Sequence, residues 1–521
     1  MGVTGHCSVG FSVALNLSLA LIIGWQHTRC PISLSEPDYL TGLGSEANTL
    51  KESRAAISGG HPEKLPHIEH GVMLNHTSAW PTWHLAMPPH FDRGIFSYDT
   101  YFDVSRFNTF LPDGDWKRLI PLMRRLATGA TIKVMVLGGS VTAGVMCQQK
   151  FKDRHLIRDK ACTWSAHFVH WLRVAFPRST VVLDNLAQGG SPTPVIFSGL
   201  GLFDYTNVDR ILIDTLANDQ GGSEVRRFGF NYSDIDSTQA VSVAYEMLIR
   251  TLHELAPEAV YSVLDGCPQC HLVVPAHRQV LNFYDVPRLD YVDVVAQLQT
   301  LWAYSGKKSA NHPDFRSHQA VADVLALTWC NVWSRISSLK SRDVGDVMAF
   351  SSKGYYHPAQ YRERFHICTR PCSVLSARGT STTQPQVIKG NWNVYADRPG
   401  KPGWSPTVPV SIMDIPLCFG KKPTLSLTYL RSYDKLGKAI MTLNGKDLHL
   451  DGLWGDDTGQ HFAQSFTIFS QAGNPILLGG SAGGPVGPVG FDIRPNSSHT
   501  MRIENFKLRN NKMKIIDIVS C

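Results

Sequence analysis

Charge is scarce in this chain. Asp, Glu, Lys and Arg make up 18% of 521 residues, and the formal net charge of +7 is spread over that whole length. No basic block of five or more residues occurs, which argues against nucleic-acid binding and against an electrostatic membrane patch. No histidine spacing suggests a metal site, and the His-x-x-x-His plus glutamate pattern of zinc hydrolases is missing; neither metal nor cofactor is expected. Ordinary phosphate loops are excluded around Gly138, because no lysine lies in 138–144. Charge is also missing before Arg29, where Val9 to Trp25 is apolar apart from Ser12, Asn16 and Ser18. That length fits a signal-peptide core or a short signal anchor within residues 1–30. No Lys or Arg precedes it and no Ala-x-Ala site follows, so entry into the secretory pathway is expected and cleavage is left open. Any membrane attachment would run through this segment alone.

What is present is a chain with 43% apolar residues, too apolar for disorder and too long for one ordinary domain. Its most informative stretch is Ile132-Lys-Val-Met-Val-Leu-Gly-Gly-Ser-Val-Thr-Ala-Gly144. An apolar run of strand length turns through Gly138 and Gly139 and presents Ser140 at the turn, where a hydroxyl can stand above a sheet edge. The same serine also reads as a helix N-cap. It does not fit a nucleophile elbow of Gly-x-Ser-x-Gly type, since Thr142 stands two residues on.

Three later segments follow in order. Asn185-Leu-Ala-Gln-Gly-Gly-Ser191 comes after the strand-like Thr180–Asp184, and Ala217-Asn218-Asp219 after Arg210–Asp214. Asn311-His312-Pro313 stands before a helical stretch. This series of serine, glycine, asparagine and histidine resembles the four motif blocks of the SGNH (GDSL-like) hydrolase superfamily, over residues 130–330. The resemblance implies a flavodoxin-like three-layer α/β/α fold and acyl transfer without a cofactor. It assigns Ser140 as nucleophile, His312 as its base, and the amides of Ser140 and Gly190 with the Asn218 side chain as the oxyanion hole. Gly190 matches the pattern better than Gly189.

One departure stands out. The family pattern Asp-x-x-His-Pro has Ser309 where the histidine-orienting acid belongs. A serine accepts a hydrogen bond but carries no charge for an imidazolium. A Ser–His dyad, an acid from elsewhere (Asp290 or Asp293), and a site that binds without turnover are the alternatives. His318, six residues after His312, is assigned a structural part.

Of 11 cysteines, Cys7 lies in the targeting segment, which leaves an even set of ten for disulfides in an oxidising compartment. Cys267-Pro-Gln-Cys270, Cys368 and Cys372 read as structural. Asn75, Asn231 and Asn496 head glycosylation tripeptides.

Periodicity divides the chain further. Residues 31–115 are irregular and read as an extension wrapping the domain that follows. Residues 116–345 alternate strands and helices, as a parallel sheet requires. Residues 346–385 read as a cysteine-containing connector, and 386–521 as an all-β sandwich with a hairpin at Asn444-Gly445. Gly479–Gly490 reads as a surface loop. Trp392, Trp404 and Trp454 offer a sugar-stacking platform, although buried core or turn residues are the more frequent explanation of such tryptophans. The expected function is a secreted esterase acting on an acylated carbohydrate, probed against two rivals: a Golgi-lumenal O-acetyltransferase and an inactive glycan-binding protein. Oligomeric state is not readable.

Overall fold

The computed structural model describes residues 114–145, 147, 160–223, 237–265, 267, 270, 273–289, 312–313, 315–338, 353–359, 371–396, 402–432, 436–453, 464–471, 474–478, 491–506 and 513–521. The targeting segment, residues 31–113 and the run Gly479–Gly490 lie outside them. The first sheet comprises β1 (Thr131–Gly138), β2 (Thr180–Asn185), β3 (Arg210–Asp214), β4 (Val260–Leu264) and β5 (Arg288–Leu289). All pair in parallel, in the order β2-β1-β3-β4-β5. That is the flavodoxin-like order, whose switch point lies between β1 and β3.

Among the described residues, seven helices flank this sheet: α1 (Leu119–Ala127), α2 (Trp164–Ala175), α3 (Thr193–Ser198), α4 (Leu216–Ser223), α5 (Ser237–Leu255), α6 (Val274–Tyr284) and α7 (Phe315–Ser338). Strand β1 shows why both faces are covered. Ile132, Val134 and Val136 enter one core with α1, α2 and α7, while Met135 and Leu137 enter another with α3, α5 and α6. Each such buried side chain contributes about 1.5–3 kcal/mol. On α2, Trp164, Phe168, Leu172 and Ala175 are buried, and on α5, Val241, Ala244, Tyr245, Leu248 and Leu252. Trp171 is only partly buried.

The chain continues through β6 (Ser373–Ser376), β7 (Gln386–Lys389), β8 (Trp392–Ala396), β9 (Pro402–Pro406), β10 (Ile412–Cys418) and β11 (Thr424–Arg431). It is completed by β12 (Lys438–Leu443), β13 (Lys446–Asp451), β14 (Gln464–Gln471), β15 (Asn474–Leu478), β16 (Ser498–Asn505) and β17 (Ile515–Ser520). One antiparallel sheet runs β13-β12-β16-β10-β7; the other runs β15-β14-β11-β17-β9-β8, with β6 added on β17. Their inner faces share a core that includes Met413, Ile415, Leu427, Met441, Ile503 and Ile518. Asn444 and Gly445 both have positive φ, 52° and 72°, as a type I′ hairpin between β12 and β13 demands.

Two expectations, on the connector and on the cysteines, need adjusting. Part of the expected connector, β6, is a strand of the sandwich. Strand β11, which alternates polar and apolar residues, is buried on both faces from Thr424 to Arg431. Its polar side is covered by the α/β layer, where Ser198 Oγ on α3 lies 3.5 Å from Thr428 Oγ1. Trp392 is buried, which takes it out of a stacking platform, and the partly buried Trp404 packs against the sandwich core; Trp454 is outside the described residues. Disulfides join Cys147–Cys162, Cys267–Cys270 and Cys372–Cys418, and Cys521 is also bridged. Cys330, on α7, is a thiol, so the even set of ten does not hold. Its indole-lined surroundings (Trp171, Trp329, Trp333) suit a small apolar side chain.

Candidate active site

The turn after β1 is built around two missing Cβ atoms. A Cβ at Gly138 would meet the Asp214 carbonyl and the Thr142 side chain at 2.6 Å. A Cβ at Gly139 would fall 1.6 Å from Asn218 Oδ1. Glycine at both positions therefore lets the end of β3 and the start of α4 close over the turn. The Gly139 N–H donates to the Asp214 carbonyl at 3.2 Å, and Thr142 Oγ1 donates to the Asp214 carboxylate at 2.5 Å. Burial pushes the Asp214 carboxyl up to about 6, against the Thr142 hydrogen bond that lowers it.

Held in this way, the half-buried Ser140 meets His312 across 172 residues of sequence: His312 Nε2 lies 2.7 Å from Ser140 Oγ. That is hydrogen-bond contact between a candidate nucleophile and a candidate base. Asn218 stands beside them on α4. Its Oδ1 accepts the Ser140 N–H at 3.3 Å, which leaves Nδ2 as the donor end of that amide. Ser140 and Asn218 follow β1 and β3, so the pair straddles the switch point of the sheet.

Gly190 lies in the loop after β2 with φ +76°, a conformation that favours glycine; Gly189 is not among the positive-φ glycines. Asn185 braces that loop. Its Nδ2 donates to the Thr142 carbonyl at 3.0 Å and to Ser165 Oγ at 3.2 Å, and its Oδ1 accepts the Ala187 N–H at 3.0 Å. The Gln188 N–H donates to the Gly138 carbonyl at 3.0 Å, tying the loop to the end of β1.

His318 serves a backbone amide of α2. Its Nδ1 accepts the Trp164 N–H at 3.2 Å, satisfying an amide at the start of α2 whose neighbour Ala166 is capped by Thr163 Oγ1. Burial pulls His318 down to about 3, so it stays neutral. The structural assignment from sequence agrees with this geometry. Ser309, Asp290 and Asp293 lie outside the described residues.

Sequence reasoning missed Asp219. Fully buried, it accepts the Thr193 N–H at 2.7 Å, lies 2.6 Å from Thr193 Oγ1, and pairs with His277 Nε2 at 3.1 Å. It thereby fixes the first residue of α3, directly after the Gly190 loop. The signal was available, since Asp219 adjoins Asn218, but its partner at 277 was not. Asn496 is exposed in a turn; Asn75 and Asn231 lie outside the described residues.

No protein-family model and no curated protein sequence matches the chain. Solved structures similar to it include a two-domain esterase active on acetylated mannans, co-crystallised with mannopentaose, at 14% identity and a TM-score of 0.47 over 81% of this chain and 97% of that one. A family two carbohydrate esterase from Clostridium thermocellum in complex with cellohexaose is 15% identical, with a TM-score of 0.27 over 40% and 65%. Phospholipase A1 from Streptomyces albidoflavus NA297 is 16% identical, with a TM-score of 0.28 over 37% and 98%. What this chain itself presents is a flavodoxin-like α/β/α layer with a serine and a histidine in contact at its strand ends, in the four-block order that resembles the SGNH hydrolases.

Proposed function

We propose that the protein is a secreted serine esterase that removes O-acyl groups, chiefly O-acetyl, from a polysaccharide or glycoconjugate. The observation that carries this reading is the 2.7 Å contact between His312 Nε2 and Ser140 Oγ at the switch point of a parallel sheet. In the proposed cycle Ser140 Oγ attacks the ester carbonyl carbon while its proton passes to His312. The oxyanion is met by the Gly190 N–H, the Asn218 Nδ2 donor and the Ser140 N–H as it is drawn from Asn218 Oδ1. Collapse expels the sugar oxygen, which takes the proton from His312. Water then loses a proton to His312, attacks the acyl-serine, and releases the carboxylic acid with Ser140 restored.

The disulfides support an oxidising compartment, where extracellular glycans are met. The substrate class rests on that compartment and on the appended β domain.

The test is fluorophosphonate labelling of the purified chain, followed by acetate release from acetylated xylan, pectin and acetyl-sugars. Labelling is expected in the wild type and lost in Ser140→Ala and His312→Ala. A folded wild type that resists labelling would sink the esterase reading in favour of a glycan-binding protein. Turnover confined to long-chain lipid esters would sink the substrate class.

A further inference from the structure

The loop that carries Gly190 is gripped from the β domain. Arg378 stands on the turn after β6, which Ser376 shapes by accepting the Arg378 and Gly379 N–H groups at 3.0 and 3.1 Å. Its guanidinium donates through Nη1 to Gln188 Oε1 and through Nη2 to Asp517 Oδ2 on β17. Asp517 is itself held by Ser376 Oγ at 2.6 Å. Gly199, at the end of α3, leaves room for this reach: a Cβ there would stand 3.2 Å from Arg378 Nη2. All three partners are mostly buried, where a charge-assisted hydrogen bond is worth more than at the surface. Burial pulls Arg378 down to about 10, so it remains charged at neutral pH.

The loop is held from two sides. Beside the contact is only a small cleft with room for about one water molecule, lined by Leu137, Leu186, Ser191, Ile196, Phe203 and Arg378. Gln188 is tied on one side to Gly138 by its N–H and on the other to Arg378 by its side chain, two residues before Gly190.

We propose that Arg378, anchored by Asp517, is a positioning residue for ester hydrolysis: it holds Gln188 so that the Gly190 amide faces the developing oxyanion. The β domain is on this view a structural part of the catalytic apparatus. The inference rests on the esterase reading above. It assigns to the β domain a task distinct from gripping sugar.

The experiment compares Arg378→Ala, Gln188→Leu and Gln188→Glu in the full chain, using p-nitrophenyl acetate. Fluorophosphonate labelling run to completion counts competent sites, so kcat is expressed per labelled site. Loss of positioning should lower kcat per site about 10- to 100-fold in Arg378→Ala and Gln188→Leu. KM should move less than about threefold. Gln188→Glu, which still accepts from Arg378, should retain more kcat than Gln188→Leu. A merely structural role would reduce the number of labelled sites and leave kcat per site unchanged, and that result overturns the proposal. If Arg378→Ala fails to fold, Gln188→Leu decides, since its change lies in the other domain. A wild type with neither labelling nor turnover overturns the esterase reading and this inference with it, whereas an active wild type matched by its variants overturns the inference alone.

Discussion

Replacing Gly139 with alanine should damage catalysis while sparing the fold, and the reason lies in one distance. The new Cβ would sit 1.6 Å from Asn218 Oδ1 and 2.6 Å from Cγ, whereas ordinary contact begins at 3.4 Å. Asn218 must therefore retreat by about 1.8 Å, well beyond the ~1 Å misplacement that can cost 10²-fold in rate. Retreat also breaks its 3.3 Å contact with the Ser140 N–H. Loss of one oxyanion donor alone costs about 10²–10³ in kcat, or about 2.7–4 kcal/mol. The obstruction is the tip of a side chain, and no backbone atom is among the nearest neighbours, so the melting temperature should stay close to wild type. Asn218→Ala should lose a similar factor. The decisive variant is the double, because removing the Asn218 side chain vacates the space that the new methyl group needs. Gly139→Ala/Asn218→Ala should be no slower than Asn218→Ala, where independent losses would multiply to about 10⁴. The assay is kcat on p-nitrophenyl acetate with melting followed in parallel. Multiplicative losses, or a Gly139→Ala enzyme at the wild-type rate, would refute the reasoning.

The two histidines should separate cleanly. His318→Ala removes an acceptor at the start of α2 and should cost about 1–3 kcal/mol of stability while Ser140 still takes the fluorophosphonate, unlike His312→Ala; abolished labelling in folded His318→Ala would reverse the assignment. Burial pushes Asp323 up to about 8, above an unfolded value near 4. Its proton is held more tightly when folded, so its contribution is full below pH 4 and is lost as pH rises through 8. Asp323→Asn should accordingly raise the melting temperature at pH 8 far more than at pH 4; an equal gain at both would contradict the burial argument. The Cys147–Cys162 bridge spans 15 residues, and Cys147→Ser/Cys162→Ser should lose about 3 kcal/mol in denaturant unfolding. An unchanged midpoint would mean that the intervening chain is already restrained in the unfolded state.

The parts of this molecule that were legible in the sequence are those set by short-range pattern. β1, β3 and β4 are apolar runs buried along most or all of their length, and each stops at or next to a residue that breaks strand pairing or polarity, which places Ser140 and Asn218 at strand ends. The hairpin at Asn444-Gly445 needs only two residues to be recognised. What short-range pattern does not carry depends on what lies opposite. The Ser and Thr positions of β11 alternate with apolar ones, and nothing in that period shows that α3 packs against them. Trp392 has the composition of a sugar platform and the burial of a core residue. Asp219 with His277, and Gln188 with Arg378, join residues 58 and 190 apart, and no local periodicity encodes a partner at such range.

The pairing of β6 with β17 has a consequence for how the chain is made. β6 is the first strand of the sandwich and β17 its last, so the sheet holding Arg378 stays incomplete until every intervening strand has been synthesised. The α/β layer, built from nearer neighbours and finished earlier, can collapse while the ribosome is still at work. Asp517 arrives only with β17. A nascent chain halted before that point would own its serine and histidine without the brace on their neighbouring loop, so hydrolytic competence would be among the last properties to mature.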